Sequence, residues 1–175
     1  GLIALRKRLP EFGDASEIRL ADVLETDLRL GISRVRSYGK SVDAVLKAHE
    51  GSPGIFVHSG KDVFESLLRM LLSDRLDCML GLPEEVIYMA EKMGVKDRII
   101  TIALKENQGD YDAWLGFAAC SKTPWGAGII RRIDEILRKE RPTERYRSAY
   151  ERWLDDNRIP RYRELYDQVF LNMTQ

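Results

Sequence analysis

The residues best placed to do chemistry lie in one stretch, Ser33-Arg-Val-Arg-Ser-Tyr38. It follows an apolar strand-like run, Leu28–Ile32, and precedes a helix expected to open near Ser37 or Ser41. The first N–H groups of a helix have no intrahelical partner and carry partial positive charge, so a carboxylate or phosphate is favoured there. Arg34 and Arg36 add positive charge and planar donor forks to the same loop. In open α/β sheets, ligands sit at the carboxyl ends of strands, where such loops converge. The same residues also describe a capped strand-to-helix turn with solvated arginines.

Other groups could share that rim. His58 ends a second apolar run, Ile55-Phe-Val-His58, just before Ser59-Gly-Lys61; a lone histidine is as consistent with local satisfaction as with function. Glu84 and Glu85 follow Pro83 at a helix start, where acids complement the helix dipole. Asp77 lies mid-strand and is expected to orient backbone rather than touch a ligand. Catalysis needs a positioned nucleophile or acid–base pair, and no spacing here forces Asp77, His58 and Glu85 together. A non-catalytic binding role without a cofactor is the expectation. Cys78 and Cys120 each sit in an apolar run, which predicts two buried thiols rather than a disulfide. With only two histidines and no paired ligand spacing, a structural zinc site is not expected.

Composition narrows the partners. The 175 residues are 44% hydrophobic, enough for a real core in one or two units. The 28 basic and 28 acidic side chains cancel, which argues against a general nucleic-acid surface. No apolar run approaches the roughly 20 residues that span a bilayer, so no direct membrane insertion is expected. Gly1-Leu-Ile-Ala-Leu is followed at once by Arg6-Lys-Arg, which is not a signal peptide pattern. The absence of an initiator Met and the abrupt apolar start lead us to expect a fragment or processed product.

The elements that must position these residues alternate. Strands are expected at Leu2–Leu5, Leu28–Ile32, Ile55–His58, Leu76–Leu80 and Arg98–Leu104. Helices are expected at Ser16–Leu24 with Ser16 as N-cap, after Ser37 or Ser41, at Asp62–Ser73, and from Pro83 to a Gly94 cap. This order predicts an α/β fold with a mainly parallel, doubly wound sheet. Beyond residue 112 the pattern changes. A fifth strand is expected at Ala113–Cys120 and helices at Ile129–Lys139, Thr143–Asp155 and Arg158–Gln175. Tyr146, Tyr150 and Trp153 form an aromatic ridge at helical spacing, expected to pack on a partner element. One strand and three helices cannot balance an α/β core, so this segment reads as part of a second, incomplete lobe.

The ordered strings resemble the periplasmic solute-binding proteins of amino-acid ABC transporters, extracellular solute-binding protein family 3. Ile18–Leu24 before Leu28–Ile32 is similar to the family's approach to its second lobe, and Ser33–Tyr38 occupies its ligand loop. Leu67–Leu80, Phe117–Lys122, Ile133–Leu137, Tyr146, Tyr150 and Trp153 resemble later family strings in the same order. The resemblance implies a type II periplasmic binding fold with residues 1–111 as the second lobe and 112–175 as the returning part of the first, the N-terminal half-lobe being absent. Leu2–Arg8 and Asp112–Cys120 would be the crossing segments.

It also implies a periplasmic small-solute receptor, with an ABC transporter membrane subunit as partner and no nucleic acid. Ligand contacts would come from Arg34, Arg36, Ser37, Tyr38, His58, Leu82, Glu84 and Glu85. Two positions depart from the family. Arg36 stands where Thr is usual, with Val35 replacing Gly, and Leu82 stands where an acid usually pairs with the ligand ammonium. A buried ammonium without a counter-charge is costly, so the implied ligand is a small anion or carboxylate. A sensor input domain, a regulator's effector domain and an enzyme on the same fold are the rival expectations.

Overall fold

The computed structural model describes residues 1–109 and 115–172. The chain forms two units, Gly1–Gly109 and Asp110–Gln175.

The first unit is built on β1, Leu2-Ile-Ala-Leu5, all four residues buried. A strand presents alternate side chains to opposite faces, so continuous burial requires cover on both. Leu2 and Ala4 join one core with Leu30, Cys78, Ile100, Ile102 and the helices α1 (Leu20–Leu24) and α2 (Lys40–Ala48). Ile3 and Leu5 join the other with Met79, Ile99 and the helices α3 (Val63–Leu72) and α4 (Pro83–Lys92). The unit is thus α/β with helices on both faces of one sheet.

That sheet has six strands in the order β2-β6-β1-β5-β3-β4. Besides β1 they are β2 (Glu17–Ile18), β3 (Leu30–Ser33), β4 (Ile55–His58), β5 (Cys78–Leu80) and β6 (Ile99–Leu104). β3 pairs in parallel with both β4 and β5, and β2 with β6. β1 runs antiparallel between β5 and β6, with Leu2 opposite Leu80 on one side and Ile102 on the other. The sheet is therefore mixed, mostly parallel.

The expected helix at Ser16–Leu24 is corrected. Glu17 and Ile18 pair with Ala103 and Leu104, and the Ser16 carbonyl accepts from the Ala103 N–H at 3.0 Å. Sheet pairing wins over the Ser16 cap, and the helix shrinks to Leu20–Leu24. Its Leu20 and Ala21 N–H groups donate instead to Glu106 Oε1, at 2.7 and 3.4 Å. The end of α4 follows expectation: Gly94 is left-handed (φ 68°), and the Gly94 and Val95 N–H groups donate to the Glu91 and Ala90 carbonyls.

The second unit is helical: α5 (Pro124–Glu140), α6 (Glu144–Glu151) and α7 (Ile159–Leu165), the last running into a wide turn at Tyr166–Phe170. The fifth strand is not present over residues 115–120, and no strand occurs among this unit's described residues; Ala113 and Trp114 lie outside them. α5 starts five residues before the expected Ile129, because Thr123 Oγ1 accepts from the Gly126 N–H at 3.1 Å and Pro124 takes the first helical position. The final helix, expected over Arg158–Gln175, is α7 with its following turn; residues 173–175 lie outside the description. The aromatic ridge meets a partner there: Tyr150 packs in a tilted arrangement on Tyr162 at 5.1 Å, Tyr162 on Tyr166, and Tyr166 on Phe170. Tyr146 and Tyr150 nevertheless stay more than a third exposed.

Cys78 is buried, and desolvation pushes its thiol up to about 12. Cys120 is only half-buried, a correction that follows from the missing strand. No described helix is long and apolar enough to cross a membrane.

Candidate functional site

Parallel pairing of β4, β3 and β5 sends the loops after their C-terminal ends to one edge of the sheet. The Arg34 N–H donates to the His58 carbonyl at 2.9 Å, fastening the β3 loop to the β4 loop. The Gly1 amine donates to the Gly81 carbonyl at 2.9 Å, and the Gly81 N–H returns a bond to the Gly1 carbonyl. β1 therefore starts at this edge, beside the end of β5. β6, antiparallel to β1, ends there too, and its following turn, Lys105–Asn107, reaches the β3 loop through Asn107 Nδ2 and the Tyr38 carbonyl (3.4 Å).

Tyr38 shapes the β3 loop from inside. Its ring is buried, and its hydroxyl accepts from the Ser33 N–H at 2.7 Å, closing the loop across five residues. Burial raises its phenol above the ordinary range. Tyr38 thus meets the core rather than the solvent rim. Ser37 does not cap α2, whose cap is Gly39 at φ 101°. The Ser37 hydroxyl donates to Asp43 Oδ2 at 2.5 Å, and the Tyr38 N–H donates to Asp43 Oδ1 at 2.9 Å. A carboxylate does occupy the loop's donors, and it belongs to the chain itself.

Arg36 is held in the same way. Its Nη1 and Nη2 donate to the two carboxylate oxygens of Glu85 at 2.6 and 3.0 Å, a bidentate pair. The guanidinium lies over the Phe64 ring, 5.0 Å from its centroid. Phe64 is wedged against β5: a Cβ at Gly81 would lie 2.2 Å from Phe64 Cζ. Backbone, ring and guanidinium stack in that order. Hydrogen bonding to Glu85 raises the Arg36 pKa against the opposing effect of burial.

Of the remaining candidates, Leu82 is the cap residue of α4, and Glu84 precedes Glu85 in its first turn. His58 stacks on Phe56 at 5.9 Å. The Arg34 side chain is exposed and makes no ion pair among the described residues. The edge thus gathers Arg34, Arg36, Ser37, His58, Leu82, Glu84 and Glu85, with Tyr38 beneath. Asp77 is elsewhere: it precedes β5, so it lies at the opposite end of the strand from Glu85, and the two do not converge. Its carboxylate accepts from the Arg29 N–H, Nε and Nη2 and pairs with Arg8 Nη1 at 2.7 Å.

Sequence reasoning missed Asp43, Phe64 and Asn107. Asp43 carried a signal, an acid in the first turn of α2, but nothing in its own segment singled it out. The Phe64 stack and the Asn107 bond join residues 28 and 69 positions apart, which no local pattern reveals. Comparison of the chain with family models, with curated proteins and with solved structures finds no match.

Proposed function

We propose that this chain is a small-solute binding module, taking an anionic or carboxylate-bearing molecule at the edge where Arg36, Ser37 and Glu85 gather. The observation that carries the reading is topological. The antiparallel β1 starts, and β6 ends, at the edge that also bears the β3, β4 and β5 loops. In open α/β sheets, ligands sit outside the carboxyl ends of the strands, where such loops converge. A stacked, bidentate-competent arginine on that edge suits a planar anionic group. Delivery to a transporter and a periplasmic place follow from the resemblance of the ordered strings.

Thermal denaturation in the presence of amino acids, organic acids and inorganic phosphate tests the proposal. A ligand at a hundredfold excess over its Kd adds about 2.7 kcal/mol, which moves the midpoint of a domain this size by roughly 10 °C. Arg36→Ala abolishes that shift. A full panel that moves no midpoint refutes the reading.

A further inference from the structure

The Arg36–Glu85 pair has a consequence for how an anion reaches the loop, and it rests on the binding reading above. One face of the Arg36 guanidinium lies over Phe64, and that ring is backed in turn by the Gly81 backbone. Its two Nη groups carry Glu85, whose side chain is 44% exposed against 26% for the arginine. Glu85 comes from a separate element, the first turn of α4, so it can swing away without disturbing the β3 loop. A planar carboxylate or a phosphate needs the same two Nη donors that Glu85 now holds.

We propose that Glu85 is a built-in competitor: a tethered carboxylate that keeps Arg36 occupied and must leave before a small carboxylate or phosphate anion can bind. The tether sets selectivity as well as affinity. A ligand with one weakly held charge does not displace a bidentate partner, whereas one that also engages the exposed Arg34 offsets the lost pair. The contact works as a threshold that empties the loop of weak anions.

The test is a set of binding isotherms for succinate and for inorganic phosphate on the full chain, as wild type, Glu85→Gln and Glu85→Asp. Gln at 85 removes the competitor, and affinity rises about threefold to fivefold, equivalent to about 0.6–1 kcal/mol. Asp keeps the charge and shortens the reach by one methylene, so it binds between wild type and the Gln variant. Gln binding no tighter than wild type overturns the proposal. So does Asp matching wild type while Gln binds tighter, because the gain then reflects local charge rather than release of Arg36. If neither anion binds any of the three proteins, the binding reading falls with it; if wild type binds and Gln shows no gain, the competitor alone falls.

Discussion

Asp77→Asn is the most informative perturbation of the first unit. Asp77 is 4% exposed and joins three strand ends: its own before β5, Arg29 before β3, and Arg8 just after β1. Its carboxylate accepts from the Arg29 N–H at 2.7 Å, from Arg29 Nε at 2.9 Å and from Arg29 Nη2 at 2.8 Å, and it pairs with Arg8. An amide in its place keeps one acceptor oxygen but loses the charge, and its NH₂ faces guanidinium donors. Hydrogen bonds to charged groups contribute about 1.5–3 kcal/mol, and both arginines reach solvent, which discounts their share. We expect a net loss of about 2 kcal/mol, a fall of roughly 1–2 M in the urea midpoint for a slope of about 1–2 kcal/mol/M. The side-chain bond from Arg29 holds the Asp77 carboxyl below its usual range, against the opposing effect of burial. A depressed native pKa gives stability that is present above the unfolded value, about 3.9, and is lost as pH falls through the native value. The two proteins should therefore differ at pH 7, and the difference should begin to shrink as pH falls below about 4. All three tryptophans lie beyond residue 109, so amide hydrogen exchange in β1, β3 and β5 is the assay that reports this unit. A difference under about 0.5 kcal/mol at pH 7, or one unchanged down to pH 3, refutes the account of Asp77 as an ionised strand clamp.

Two further substitutions test the loop edge. Tyr38→Phe leaves the buried Ser33 N–H without its acceptor; a cost of about 1–2 kcal/mol and faster amide exchange across residues 33–38 are expected, with the urea midpoint as the check. Gly81→Ala places a methyl against the Phe64 ring. Overpacking of that kind costs about 1–3 kcal/mol, and displacement of Phe64 should weaken anion binding beyond what stability loss explains, measured at a temperature where the variant remains folded.

The alternation of strands and helices was legible because hydrophobic period and turn residues act locally. Ile55–His58 and the α4 boundaries match expectation for that reason: Pro83 starts and Gly94 stops the helix by backbone geometry alone. The direction of β1 was not legible, since Leu-Ile-Ala-Leu reads the same in a parallel or an antiparallel setting. The pairing of Glu17 and Ile18 with Ala103 and Leu104 was hidden for a related reason. A local cap signal at Ser16 has no way to register a partner 87 residues away. At the candidate site, residue types pointed to a loop rich in donors, and in the structure the chain's own carboxylates take them. Which carboxylates fill it was beyond a reading of one segment, because Glu85 arrives from α4 and Asp43 from a helix turn whose register depends on Gly39.

Many of the chain's charges meet in local pairs, and burial divides their roles. Arg8 and Arg29 converge on Asp77, and Arg147 and Arg163 on Glu151, carboxylates with almost no access to water. Removing a partner there leaves a poorly solvated charge, so those clusters are committed to holding the fold. Arg36 and Glu85 make a pair of the same chemistry at comparable distances, yet water reaches the glutamate. Solvent can stabilise Glu85 once it leaves, which lowers the cost of separation to that of an exposed ion pair, about 1 kcal/mol or less. Nothing comparable releases Asp77. Of these three charge clusters, the one on the loop edge is the least costly to separate, and that is why the geometry of Arg36, rather than the number of arginines, carries the proposal.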